Sequence, residues 1–203
     1  MEKKLDFLTV MKEGLVYGTK NVPSLLGALI LWILTILIPY VNVGTTIAIS
    51  TLPLQLSRGT IFSPLNIFDK KYYRYAGEYF LTRGFISLGT LGAMVFMLIP
   101  AIVISISWSL AVLLVLDKGV NAAEALRLSN KLTYGNKWTM FFVSLASYVA
   151  YIIVLLIFIG IVRVVPVIGI LLILASIPVF YTYLLGCQAS IYGTLSRDID
   201  EQH

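Results

Sequence analysis

Few side chains in this sequence could carry out chemistry. The single histidine, His203, ends the chain, and the single cysteine, Cys187, can form neither an intramolecular disulfide nor a cysteine-built metal site. The sequence contains no HExxH, GxSxG, GKS or CxxC motif. We therefore predict a protein that is not an enzyme and has no metal and no cofactor, and we expect Cys187 to be a buried apolar side chain.

The polar side chains inside the apolar segments are hydroxyls and amides rather than acids or bases. Ion-coupled carriers usually need intramembrane charges, so this pattern also disfavours a coupled transporter. We expect most of these groups to form hydrogen bonds between helices. Gln55 and Gln188 each precede a glycine that ends a hairpin, and with Ser107 they make a candidate polar pocket, although structural bonding is the favoured role.

Basic side chains flank the apolar segments and do not interrupt them. Near an anionic leaflet, each can contribute about 1 kcal/mol of membrane attraction. The residues predicted to contact anionic headgroups are Lys12, Lys20, Lys70, Lys71, Arg74, Arg127, Lys131 and Lys137. For the same residues, a role in setting topology alone is the alternative.

The composition places these residues in a membrane protein. Hydrophobic residues make up 59% and charged residues 12% of the 203 residues, and the mean hydropathy is +0.91. A soluble domain carries about twice that share of charge. We predict a single membrane domain over residues 1–197, followed by a flexible tail at 198–203.

The apolar runs predict an all-α integral membrane protein with six hydrophobic helices. These helices form three hairpins, each preceded by an amphipathic interfacial helix. The expected far-side turns are near 41–44, 99–102 and 163–165. The runs at 23–56 and 84–116 are short, so the pattern leaves open whether these two hairpins cross the bilayer fully.

Residues 3–20 are predicted to form the first interfacial helix. Its apolar face comprises Phe7, Leu8, Met11 and Leu15.

The longest polar interruption, residues 116–138, contains another predicted surface helix. Asn121 can cap its N-terminus, Glu124 can complete a capping box, and Gly135 ends it.

Between these two segments, Ser63 and Pro64 predict the start of a helix that continues to about Phe80. Its aromatic face is predicted to anchor the chain at the headgroups, together with the tryptophan that opens the third hairpin. The predicted interfacial anchors are Phe68, Tyr72, Tyr75, Tyr79 and Trp138. The alternative is that these rings pack on neighbouring helices.

Internal similarity predicts three repeat units at about 1–58, 59–118 and 119–196. A glycine-containing break precedes each hairpin, and a second one follows it. Of the 15 Lys and Arg residues, only Arg163 lies at an expected far-side turn. This asymmetry predicts a multi-pass protein of the cell membrane with both termini cytoplasmic. It also indicates that the basic side chains responsible for the net charge of +5 face lipid headgroups rather than nucleic acid.

The stretch 117–141 resembles a group of bacterial and archaeal membrane proteins. The residues that carry the resemblance are Asp117-Lys118-Gly119, Glu124-Ala125-Leu126, Ser129, Gly135-Asn136-Lys137-Trp138 and Phe141, with Ile67-Phe68 and Ile99-Pro100 outside it. Similar runs occur in the membrane domain attached to some glycerophosphodiester phosphodiesterases and in YciC-like uncharacterised inner-membrane proteins. The resemblance implies a six-helix membrane domain without an assigned activity. The phosphodiesterase barrel and its catalytic residues have no counterpart here.

These observations favour a non-catalytic polytopic membrane protein that organises or binds lipid or a membrane protein partner. The partners expected are membrane lipids with anionic headgroups, a membrane protein or a second copy of the chain. The alternative is a transporter or channel for a lipid or small amphiphile, which the repeats and the proline-broken helices favour. A lipid-modifying enzyme is the third and least favoured hypothesis.

Overall fold

The computed structural model describes residues 4–20, 22–60 and 62–197, and within these ranges the chain is helical, with no strand. This confirms the predicted all-α class; the predicted tail at 198–203 lies outside the described residues. Two short 3₁₀ segments, Pro64–Phe68 and Lys70–Tyr75, interrupt the series. The α-helices are α1 (Phe7–Lys20), α2 (Val22–Thr35), α3 (Pro39–Ser50), α4 (Leu52–Ser57), α5 (Ala76–Phe96), α6 (Leu98–Ser107), α7 (Ala111–Lys118), α8 (Ala122–Thr133), α9 (Lys137–Val164) and α10 (Pro166–Leu195).

In the described part of the chain, four helical stretches are long and apolar enough to cross a membrane. They are Lys70–Phe96, Leu98–Lys118, Lys137–Val164 and Pro166–Leu195. They form two hairpins, α5 with α6–α7 and α9 with α10. In contrast, α2 has only 14 residues, about 21 Å of helix against a hydrocarbon core of about 30 Å. The chain therefore has the long apolar helices of a membrane protein, but the prediction of six spanning helices is not confirmed.

The hairpin turns lie near their predicted positions but not at them. The first covers residues 36–38 instead of 41–44, because Pro39 already occupies the first turn of α3. The second is the single extended residue Met97, just before the predicted 99–102. The third is Val165, at the end of the predicted 163–165.

The polar stretch around α8 begins and ends as predicted. The side chain of Asn121 accepts a hydrogen bond from the backbone N–H of Glu124 at 2.9 Å. The charged face of α8 is exposed, and its alanine face is buried. Gly135 has a φ of 76°, a left-handed conformation that glycine adopts easily. The chain can therefore turn there and begin α9 at Lys137.

The prediction of one α-helix from Ser63 to Phe80 is wrong. The α-helix α5 starts only at Ala76 and continues through Gly84, which was expected to be a break. Asp69 accounts for the interruption, because its side chain accepts a hydrogen bond from the backbone N–H of Lys71 at 2.9 Å and competes with helix formation. This bond, followed by the bond to the Lys71 ammonium, lowers the pKa of Asp69.

The first helix makes its closest contact with α10 through glycines. Gly14 lies against Cys187 and Gly18 against Thr182, so α1 runs antiparallel to α10. A Cβ atom on Gly186 would overlap the Gly14 carbonyl oxygen and would lie 2.9 Å from the Gly18 nitrogen. Such close approach of two helix backbones requires residues without side chains. Of the predicted apolar face, Phe7 and Met11 are half-buried against the core, whereas Leu8 and Leu15 are exposed.

Both ends of the α3–α4 segment contact the same polar part of the chain. At the N-terminal end, the Tyr73 hydroxyl donates to the Tyr40 carbonyl oxygen at 2.9 Å, and the two rings stack with centroids 5.0 Å apart. At the C-terminal end, Arg58 forms an ion pair with Asp117. Asp117 lines a crevice together with Arg74, the neighbour of Tyr73. A spanning helix would place its ends about 30 Å apart across the membrane, so these contacts argue against a first hairpin whose turn lies opposite the basic residues.

The three predicted repeat units have arms of unequal length. The arms α2 and α3 contain 14 and 12 residues, whereas α9 and α10 contain 28 and 30. The threefold repeat and the single domain both stay predictions.

The α1–α10 crossing gives a test of the fold. We expect Gly186→Ala to lower the free energy of unfolding by about 1–3 kcal/mol, since its methyl group must push two helix backbones apart. Thermal unfolding in detergent, followed by far-UV circular dichroism, measures the loss. The control is Gly160→Ala on α9, where an added Cβ has no neighbour within 4 Å. Equal melting temperatures for the two variants would contradict the crossing.

Candidate functional site

Gln188, one of the predicted pocket residues, lies on α10 between two cavities. The larger of these, the hydroxyl cavity, has a volume of about 310 Å³ and lies between α6, α9 and α10. No charged side chain lines it. Its polar lining consists of Ser105, Ser109, Ser144, Ser147, Tyr148 and Gln188.

The second cavity, here the arginine cavity, has a volume of about 160 Å³ and shares Gln188 and Ser109 with the first. It lies between α3, α5 and α10, and Arg83 is the charged residue in its wall. The Arg83 guanidinium is 5.6 Å from the centre of the Tyr79 ring, within the range of a cation–π contact. The Tyr79 and Ser50 hydroxyls form a hydrogen bond, with their oxygen atoms 2.8 Å apart.

The other two predicted pocket residues lie elsewhere, which corrects the predicted trio. The Gln55 amide donates to the Thr51 hydroxyl at 3.3 Å, one helical turn away, and Gln55 lines neither cavity. The Ser107 hydroxyl is buried and donates to the Val103 carbonyl oxygen at 2.6 Å. The Ser107 carbonyl oxygen accepts a bond from Ser129 at 2.7 Å, which ties α6 to α8. Ser107 is therefore a structural residue.

A third space, the apolar groove, extends along α9 and α10 beyond the hydroxyl cavity. Its volume is about 570 Å³, and the wall is almost entirely aliphatic and aromatic, with Met11 and Leu15 of α1 closing one end. Within the wall, Tyr151 stacks on Phe180 with centroids 4.1 Å apart. The Tyr151 and Ser176 hydroxyls lie 3.2 Å apart.

The apolar groove and the hydroxyl cavity meet at Ser147, which lines both. On α10 the groove is lined by residues 172–183 and the hydroxyl cavity by residues 184–191. The Ser147 hydroxyl donates to the Val143 carbonyl oxygen at 2.7 Å and lies 3.2 Å from the Tyr183 hydroxyl. From Leu172 to Gln188 the axial distance is about 24 Å, at the rise of an α-helix. The seam between the two helices thus changes from apolar to polar along its length.

The hydroxyls of this region bond mainly within their own helices, contrary to the expected bonding between helices. Ser105 donates to the Ile102 carbonyl oxygen at 2.9 Å and Ser109 to that of Ile106 at 2.8 Å. A hydroxyl that donates in this way still has lone pairs free. Ser105 and Ser109 therefore offer acceptors to the hydroxyl cavity, whereas Arg83 offers only donors to the arginine cavity.

A charged crevice of about 290 Å³ lies at the polar end of α5 and α7. Asp117 is its most buried charge, with 3% of its side chain exposed, and it is bound by Arg58, by the Tyr192 hydroxyl at 2.5 Å and by Lys118 at 3.6 Å. Glu78 accepts a bond from the backbone N–H of Ala122 at 2.7 Å. Asp117 connects α7 to α10 and to the end of α4, and Glu78 connects α5 to α8, so both carboxylates have structural partners.

The residues predicted to meet lipid headgroups are mostly accessible. Seven are exposed, namely Lys12, Lys20, Lys70, Lys71, Arg74, Arg127 and Lys131. Lys137 is half-buried and donates to the Asn130 side chain at 3.0 Å. Among the predicted aromatic anchors, Phe68 is exposed, Tyr75 is half-buried and Trp138 is 74% exposed. Tyr72 and Tyr79 are buried in the core instead, which is the packing alternative for these rings.

Sequence reasoning missed Arg83, Ser109, Ser144 and Ser147 as cavity residues. The serines at 105 and 109 and those at 144 and 147 have helical spacing, and this signal could have identified them. The sequence places Arg83 among the basic residues that flank the apolar segments and in the break before the second hairpin. Its proximity to Gln188 depends on how α5 and α10 lie relative to each other, which no local pattern specifies.

Comparison with known proteins found no match for this chain among protein-family models, curated proteins or solved structures. The resemblance of residues 117–141 to the membrane domain of glycerophosphodiester phosphodiesterases and to YciC-like proteins therefore stays a prediction.

Proposed function

We propose that this chain is a non-catalytic, polytopic membrane protein that binds a lipid or a related amphiphile along the seam between α9 and α10. The observation that carries the proposal is the junction at Ser147, where an apolar groove continues into a cavity lined by hydroxyls and an amide. A ligand with one apolar chain and one polar end matches this change along the seam.

The polar end of the seam provides the selectivity in this proposal. Because bilayer lipid is as apolar as the groove, burying a chain there gains packing contacts but little hydrophobic free energy. Hydrogen bonds at the hydroxyl cavity, in a region of low dielectric constant, distinguish one polar end from another. The groove then fixes the position of the apolar chain, so that the polar end can form these hydrogen bonds.

For the membrane arrangement, we propose four spanning helices, in the hairpins α5/α6–α7 and α9/α10, with both termini in the cytoplasm and the first hairpin kept near the cytoplasmic leaflet. The support is that Leu5, whose N–H donates to the Asn136 side chain at 2.7 Å, and Leu195 belong to one buried cluster. The contacts of Tyr40 with Tyr73 add to this support. The basic residues named above then face the anionic headgroups of the cell membrane.

A transporter for the same amphiphile is the second candidate. Two cavities lie on either side of Gln188 and Ser109, and Pro178 interrupts the hydrogen bonding of α10 next to them. Flux of a fluorescent lipid in proteoliposomes above that in empty vesicles would favour transport over binding.

Filling the groove tests the binding proposal. We expect Ala150→Phe to reduce co-purifying lipid about tenfold, because overfilling a packed site costs at least about 1.4 kcal/mol. Native mass spectrometry of protein extracted from membranes measures the bound lipid.

The matched control for this test is Val149→Phe, next to Ala150 on α9. Val149 is 47% exposed and lines neither the groove nor the hydroxyl cavity. Equal lipid content in the two variants, or no retained lipid in the unsubstituted protein, would count against the proposal.

Cysteine accessibility in intact cells tests the membrane arrangement. In a Cys187→Ala background, we expect a membrane-impermeant maleimide to label Arg163→Cys from outside, because α9 and α10 meet near the outer surface. We expect Tyr40→Cys to react only after the cells are opened. Labelling of position 40 from outside would instead support six spanning helices and would contradict the four-helix arrangement.

A further inference from the structure

We infer that the amphiphile bound along this seam carries a negative charge at its polar end, and that Arg83 binds this charge in the arginine cavity. The inference rests on the proposed function and specifies its ligand class, a carboxylate or phosphate on an apolar chain.

The first argument is that Arg83 is oriented but not neutralised. No Asp or Glu lines the arginine cavity, and Arg83 forms no ion pair in the described residues. The Tyr79 ring lies against its guanidinium, and Ser50 holds Tyr79 in place. By contrast, Arg58 is paired with a carboxylate. The guanidinium of Arg83 is therefore free to accept an anion as its partner.

The second argument is that the three spaces adjoin one another. Ser109 and Gln188 line both the hydroxyl cavity and the arginine cavity, and Ser147 lines both the hydroxyl cavity and the apolar groove. The three spaces thus adjoin one another in the order apolar, hydroxyl-lined and cationic, with Ser109 and Gln188 between the last two. A chain seated in the groove would direct its polar end toward Ser109 and Gln188, beyond which Arg83 lies.

The third argument concerns the chemistry and size of the anion. The cavity volume of about 160 Å³ corresponds to about five water molecules, which is enough for a carboxylate or a phosphate. A guanidinium presents a planar set of donors that matches both of these anions. Ser105 and Ser109 already donate to their own helix and cannot replace Arg83 as donors without losing those bonds.

Binding of two probes with the same chain tests the inference. Full-length protein in nanodiscs of uncharged lipid is titrated with dodecyl phosphate and with dodecan-1-ol, and binding is followed by native mass spectrometry. We expect the unsubstituted protein to prefer the phosphate, and Arg83→Gln to reduce its affinity for the phosphate about tenfold to hundredfold. Affinity for the alcohol should change little, and Arg83→Lys should retain part of the preference.

The control variant is Arg197→Gln, which removes an exposed cation that lines none of the three spaces and should leave the preference intact. If Arg83→Gln keeps the full preference for phosphate, the inference is overturned while the proposed function stands. If the unsubstituted protein binds neither probe, the proposed function itself fails. If inorganic phosphate binds as tightly as dodecyl phosphate, Arg83 belongs to a site for free anions and the assignment to an amphiphile is wrong.

Discussion

The close approach of α1 to α10 is the contact on which the rest of the arrangement depends. Gly14, Gly18 and Gly186 have no side chains at the crossing point, so that the two backbones come into contact there. This crossing brings Met11 to the groove wall, where its sulfur lies 3.0 Å from the Tyr183 hydroxyl. It also allows Ser190 to donate to Glu13 at 2.7 Å. Without the glycines, α1 would move outward, and one end of the groove would lose its wall.

A second constraint comes from buried charge. The Asp117 side chain is almost fully buried, and Arg58, Tyr192 and Lys118 supply its partners. These partners come from the end of α4, from α10 and from the residue next to Asp117. The ion pair of Arg58 therefore holds one end of the first hairpin. The hydrogen bond from Tyr73 to Tyr40 holds the other end. A short apolar hairpin held at both ends beside polar segments can cover the side of the bundle without crossing a membrane.

The cavities follow from the same packing. The residues at the centre of the α9–α10 seam are small or hydroxylated, such as Ala150, Ser147 and Ala175, so the two long helices do not fill the space between them. Where α6 approaches, serines line the gap. Arg83 lies in the wall of the adjoining cavity between α3, α5 and α10, which is lined by no residue of α9. The change from apolar to polar along the seam therefore reflects which neighbouring helix covers each level, and it is the basis of the proposed amphiphile binding.

The sequence by itself determined the all-α class, the membrane character, the capped helix after Asn121 and the burial of Cys187, because composition, local capping and apolar periodicity act over a few residues. It did not determine that Gly14 and Gly18, beside Phe7 and Met11 on one face of α1, form the closest contact, because only the presence of Gly186 on α10 allows the two backbones to approach. The hydrogen bond from the Lys71 N–H to the Asp69 side chain interrupts the predicted helix, and two 3₁₀ segments form there instead. Only the tertiary structure decided where the first hairpin lies. It also decided that Arg83, Ser109 and Gln188 line one cavity. Residues far apart in the chain meet there through helix crossings, and no short pattern encodes a crossing.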